Sequence, residues 1–129
     1  MTNNGKTAVV LMNLGGPDSL DAVEPFLFNL FNDPDIISIP VGFLRSQVAR
    51  LIAHFRSKGV REQYRRIGGK SPINEWTETQ RTMLDRALRN AGYDADVLIA
   101  MRYWKPLTDE TAREVENGGY DRVILLPLY

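Results

Sequence analysis

Three short runs of apolar, largely β-branched residues set the frame of this chain: Lys6–Asn13 (KTAVVLMN), Asp96–Tyr103 (DVLIAMRY) and Arg122–Leu128 (RVILLPL). The near-continuous apolarity of the first run predicts a buried parallel strand, and the other two runs read as the second and third strands. Long stretches of helical periodicity separate them. The order reads β-α-(αα)-α-β-α-β, and such alternation implies an α/β fold, a parallel sheet flanked by helices.

The connecting segments carry their own punctuation. Leu14-Gly15-Gly16-Pro17 ends the first run, and Asp18 and Ser19 are cap residues for the next helix. Leu20, Val23, Leu27, Leu30 and Phe31 fall at helical spacing, and Pro25 places the start of that helix near Glu24. Asp33-Pro34-Asp35 is a stop, followed by an extended apolar link, Ile36–Pro40. Phe43–Phe55 reads as an amphipathic helix, with Phe43, Leu44, Leu51 and Phe55 turned to the core and Arg45, Arg50 and Arg56 on the wetter side. Gly59 is expected to break it before a second short helix that runs to about Ile67. Ser71-Pro72 opens a helix over Ile73–Asn90, which Gly92 closes. Thr108 caps a helix over Asp109–Glu116, ended by Gly118-Gly119. Three strands make a thin sheet, so the domain is expected to continue past Tyr129.

Composition removes several chemistries. The 129 residues suit one domain, with no internal repeat and no low-complexity stretch. With no cysteine there is no disulfide, thiol nucleophile or Cys–metal site, and a single histidine, His54, excludes a His-rich metal centre. Sixteen basic residues balance sixteen acidic ones, which argues against a nucleic-acid partner. The balance is uneven along the chain: residues 44–70 hold eight bases against Glu62 alone. No targeting segment is visible, because the apolar run Ala8–Met12 is too short for a signal core or a membrane span. The expected location is cytoplasmic.

Two glycine motifs invite nucleotide readings. Gly68-Gly69-Lys70-Ser71 resembles the end of a P-loop, but the pattern needs glycine where Tyr64 stands and a strand where the sequence reads as helix. Leu14-Gly15-Gly16-Pro17 follows a strand, where ligand loops are built, yet it is not the dinucleotide pattern. Its glycines serve a turn or the close approach of a ligand. Arg102 and Tyr103 end the second strand; a guanidinium there suits a carboxylate and an aromatic ring suits a flat ligand, unless both merely finish a strand. His54, late in a basic helix, reads as a surface or packing residue.

Taken together, Leu11–Pro17 (LMNLGGP), Asp18–Val23 (DSLDAV), Phe26–Phe31 (FLFNLF), Asp33–Ile36 (DPDI), Gln63–Ile73 (QYRRIGGKSPI), Met101–Pro106 (MRYWKP) and Leu126–Tyr129 (LPLY) are far more specific than any one motif. In this order they resemble ferrochelatase, whose members insert ferrous iron into a porphyrin. The resemblance covers essentially the whole chain but only the amino-terminal part of the family. It implies a Rossmann-like, chelatase-type sheet, here an incomplete three-strand half, with residues 1–129 forming a truncated N-terminal domain and a helical lip inserted around 33–70.

The resemblance also implies a site. Leu14 takes the position nearest the porphyrin face, Arg102 and Tyr103 match a pair facing the cleft, and Arg65, Arg66, Ser71 and Gln80 match positions near the propionates or the pocket wall. Asp33–Phe55 forms the lip, which contacts the macrocycle and brings peripheral membrane contact. The substrates are Fe²⁺ and a porphyrin, protoporphyrin IX favoured, with no covalently bound cofactor. The family's catalytic His and Glu lie past the equivalent of Tyr129 and His54 does not match them, so no catalytic residue falls in this stretch and the chain alone is expected to be inactive. Lys70 and Lys105 depart from the residues many members carry. The alternative is a non-catalytic α/β binding module for a carboxylated planar ligand or a protein partner.

Overall fold

The computed structural model describes residues 5–38, 40 and 42–129. They divide into two compact units, one within residues 16–72 and one within residues 5–15 and 73–129.

The unit that holds the sheet contains β1 (Thr7–Asn13), α3 (Ile73–Asn90), β2 (Ala95–Met101), α4 (Thr108–Asn117) and β3 (Arg122–Pro127). The order across the sheet is β2-β1-β3, all parallel. The central strand lies at the core of the sheet, and Ala8, Val9, Val10 and Leu11 are all buried. Val9, Leu11 and Val97 face Leu84 and Leu88 of α3. On the opposite face Val10, Met12 and Ala100 share an apolar groove with Thr111 and Val115 of α4. Two threonines fasten α4 to the sheet: Thr108 Oγ1 donates to Met101 O at 3.0 Å, and Thr111 Oγ1 to Ile99 O at 2.6 Å. Thr108 is therefore spent on the strand rather than on a helix cap; Glu110 Oε2 instead accepts from the N–H of Leu107 at 3.0 Å. α3 ends as expected, with Gly92 at φ +82° and Tyr93 N–H returning to Leu88 O at 3.0 Å.

The other unit packs α1 (Val23–Phe31) against α2 (Arg45–Arg65), which follows a 3₁₀ turn at Gly42–Leu44. Pro25 is the third residue of α1, where its missing N–H would have had no helical partner. Asp18 and Ser19 do not cap α1: Ala22 holds the cap position, and Ser19 Oγ accepts from Ala22 N–H in the preceding turn at 3.1 Å. The link after α1 is not extended at its start, since Ile36 and Ile37 both donate to Asp33 O in a turn; Ile39 of that link lies outside the described residues.

Two expectations for α2 fail together. Gly59 does not break it, and the helix runs unbroken for 21 residues. Phe43, Leu44, Leu51 and Phe55 do not face the core but stand 78, 42, 57 and 74 % exposed. The face that packs on Val23, Leu27 and Phe31 is made of Ala49 and Ala53, with Ile52, Val60 and Tyr64 beside it. Small residues let the two helices approach, and burial along this stripe outweighs the roughly 1 kcal/mol that a helical glycine costs.

Candidate functional site

In an open parallel sheet, ligands meet the carboxyl ends of the strands. Here β1 and β2 end level with each other, Asn13 opposite Met101. The two chains stay tied for two more residues: Arg102 N–H donates to Asn13 O at 3.0 Å and Tyr103 N–H to Leu14 O at 2.9 Å. Leu14, Arg102 and Tyr103 are thus one group.

Their side chains differ in access. Leu14 is 38 % exposed, which is unusual for a leucine leaving a buried strand, whereas Tyr103 is 4 % exposed. Arg102 is exposed, and its guanidinium carbon stands 5.5 Å from the centre of the Tyr103 ring. The buried ring is therefore not itself a face for a flat ligand; it backs the guanidinium and limits its rotation. The loop turns back through Pro106, whose carbonyl accepts from Met101 N–H at 2.7 Å.

Gly15 is held by the turn and by the loop packed against it. It sits at φ +80°, and a Cβ there would lie 3.2 Å from the Cβ atoms of both Met101 and Trp104. Both the turn and the close approach of the β2 loop require glycine.

Gln80 lies in the same unit, exposed on α3. Arg65, Arg66 and Ser71 belong to the other unit, around the turn that ends α2. Gly68 and Gly69 adopt φ +103° and +81°, and Gly69 N–H returns to Tyr64 O at 2.8 Å. Arg65 pairs with Glu62, and Arg66 Nε stands 3.8 Å from the same carboxylate with its side chain 75 % exposed. Ser71 is buried, and its N–H donates to Pro17 O at 2.8 Å. The element before this glycine turn is α2, a helix, so the P-loop context is absent. His54 is exposed on α2, its Nδ1 3.2 Å from Glu24 Oε1, while Arg61 Nη2 lies 3.5 Å from Glu24 Oε2.

Sequence reading missed three contributors: Asn13, Thr77 and Trp104. Asn13 Nδ2 donates to Thr77 Oγ1 at 3.1 Å, and its Oδ1 accepts from Leu14 N–H at 2.9 Å. The spelling LMNLGGP contains Asn13 without revealing what it bonds. Among the described residues, no helix is long and apolar enough to cross a membrane.

Open parallel α/β sheets are a class of fold that builds its ligand sites at the carboxyl ends of the strands, and at those ends this unit exposes Leu14 and Arg102. The ferrochelatase family model matches residues 6–129. The chain belongs to the ferrochelatase family. It is 54 % identical over 126 residues to a ferrochelatase of Caulobacter vibrioides, covering 96 % of this chain and 36 % of that protein. It is 53 % identical over 124 residues to one of Geobacter metallireducens, covering 96 % and 38 %. Against one of Synechococcus elongatus it is 46 % identical over 125 residues, covering 97 % and 32 %. The chain therefore spans about a third of the length of these curated relatives.

Proposed function

We propose that this chain forms one wall of the porphyrin cleft of a ferrochelatase, a cytoplasmic lyase with a Rossmann-like sheet that converts Fe²⁺ and a porphyrin, protoporphyrin IX in the first instance, into haem and two protons. The observation that carries the reading is the group of Leu14, Arg102 and Tyr103 at the ends of β1 and β2. A porphyrin is an apolar disc with carboxylates on one edge, so it needs apolar contact on its face and cationic or hydroxyl donors at its rim. Leu14, held out of the core, serves the face. Arg102, backed by the Tyr103 ring, serves a propionate. Gln80, in the same compact unit, belongs to the pocket wall.

Iron insertion also requires a base for the pyrrole N–H protons, with a pKa near the working pH. We assign that role to a His and a Glu of the longer family sequence, outside the stretch matched here. This chain's part is then to bind and orient the macrocycle, not to move its protons. The exposed apolar residues Phe43, Leu44, Leu51 and Phe55, interleaved with Arg50, Arg56 and Lys58 on α2, suit a lip that rests on a membrane surface.

Titration of the purified chain with protoporphyrin IX, read by tryptophan fluorescence and porphyrin absorbance, tests the reading. Saturable binding is expected, with none for flavin mononucleotide or ATP, and Arg102→Ala weakens it by about tenfold. Equal responses to flavin and porphyrin would instead support a generic α/β binding module. The same samples given Fe²⁺ under reducing conditions are expected to form no haem; metallation by the chain alone would overturn the assignment of the base.

A further inference from the structure

We propose that Asn13 is a positioning residue which, held by Thr77, fixes how Leu14, Arg102 and Tyr103 are presented to the ligand; the ligand part of this inference rests on the porphyrin reading above.

The argument begins at Thr77. This residue is 1 % exposed, so water does not compete for its hydroxyl. Its Oγ1 donates to Ile73 O at 2.7 Å. A carbonyl oxygen can only accept, so the single hydroxyl proton is committed there and Oγ1 faces Asn13 as an acceptor. Only the Nδ2 end of the Asn13 amide can satisfy it, at 3.1 Å. The orientation of the amide is then settled, and Oδ1 is turned to the N–H of Leu14, at 2.9 Å. One directional chain of hydrogen bonds runs from the first residue after β1, through the last residue of β1, into the first turn of α3.

Asn13 also engages the neighbouring strand end. Its carbonyl accepts from Arg102 N–H at 3.0 Å, and the next carbonyl, that of Leu14, accepts from Tyr103 N–H at 2.9 Å. The turn that the Asn13 side chain fixes at Leu14 therefore carries the two carbonyls, of Asn13 and Leu14, on which the β2 loop is seated. Every one of these partners lies in the same compact unit. A strand end could give its N–H to solvent without loss of fold; taking the Leu14 N–H with a side chain that is itself anchored to a helix restricts an exposed leucine to one direction.

Substitutions at Thr77 separate presentation from folding. Thr77→Val keeps the shape and removes the acceptor; Thr77→Ser keeps the acceptor. Amide hydrogen exchange of the 129-residue chain is read by NMR, and protoporphyrin IX binding by porphyrin absorbance. Thr77→Val and Asn13→Ala are expected to speed exchange at Leu14 and Tyr103 by about tenfold or more and to weaken porphyrin binding by about tenfold, with the amides of Val9–Leu11 unchanged. Thr77→Ser is expected to restore both within about twofold. The inference is overturned if Leu14 and Tyr103 exchange as in the unsubstituted chain. It is equally overturned if all sheet amides accelerate together, if Thr77→Val fails to fold, or if Thr77→Ser does not rescue. Local exchange that responds as expected in a chain that binds no porphyrin leaves the positioning role standing and removes the porphyrin reading.

Discussion

A methyl group on Gly15 would stand 3.2 Å from the Cβ of Trp104 and 3.3 Å from its backbone nitrogen. The first residues beyond β1 and the loop after β2 are therefore packed without room for a side chain, and the positive φ of +80° adds a second objection to any other residue. Gly15→Ala is expected to cost about 1–3 kcal/mol of unfolding free energy. Denaturant unfolding followed by tryptophan fluorescence measures it. An unchanged midpoint would show that the strand ends yield freely.

Gly59 presents the opposite case. It lies in the middle of α2, and a Cβ there meets nothing within 4 Å. Gly59→Ala gains helix propensity without a clash, and is expected to stabilise the chain by about 0.5–1 kcal/mol. A lower unfolding midpoint in urea would mean that α2 needs the flexibility at this position.

These two glycines show what was legible in the sequence. The strands were, because uniform apolarity over six or seven residues is hard to mistake, although β2 ends at Met101 and leaves Arg102 and Tyr103 just beyond it; the grouping of Leu14 with Arg102 and Tyr103 came from the family resemblance, not from the apolar runs. α2 was misread in two ways. A glycine in the pattern suggested a break, yet the stripe that packs on α1 lies elsewhere on the helix and is indifferent to it. The bulkiest apolar residues, Phe43, Leu51 and Phe55, looked like the core, whereas the buried positions are Ala49 and Ala53. A hydrophobic pattern weights large side chains, but close helix packing selects small ones. The Asn13–Thr77 bond spans 64 residues and obeys no periodicity, so no local pattern could announce it.

At the amino ends of the strands, Tyr120 Oη donates to Asp96 Oδ2 at 2.9 Å, and Lys6 Nζ lies 3.1 Å from the same oxygen. The Tyr120 hydrogen bond, with Lys6 behind it, holds the Asp96 carboxyl below its ordinary value. Burial first, and then the bond to Asp96, pushes the Tyr120 phenol up to about 12. The Asp96 contribution to stability is in place above the usual carboxylate pKa of about 4 and is lost as pH falls through the depressed value. The Tyr120 contribution is in place below about pH 10 and is lost as pH rises through about 12. Absorbance titration at alkaline pH is expected to lose one late-ionising tyrosine in Tyr120→Phe, and that group is expected to ionise earlier in Asp96→Asn. A tyrosine that titrates no differently in the Asp96 variant would break the link between the two groups.

The edge of β3 supports a last expectation. The N–H groups of Arg122 and Leu128 turn to Lys6 O, just before β1, and to Met12 O on β1, so by the alternation of a strand those of Val123 and Leu125 turn outward. Pro127 falls on the same outward register and offers no N–H, which blunts one end of the edge. Among the described residues nothing covers the remainder: Val123, Ile124, Leu125 and Leu126 are 40 to 60 % exposed on the two faces of the strand. An apolar edge with free backbone groups is a template for pairing. The purified 129-residue chain is expected to sediment as a concentration-dependent mixture of monomer and dimer. Antiparallel pairing about Ile124 would use the outward groups of Val123 and Leu125 from both copies and leave Pro127 outside the ladder. Leu125→Lys places a charge in the middle of that register and is expected to shift the chain to monomer while leaving the circular dichroism of the fold unchanged. A chain that stays monomeric at high concentration, or a Leu125→Lys variant that associates as strongly as the original, would show that the β3 edge is not the surface that pairs.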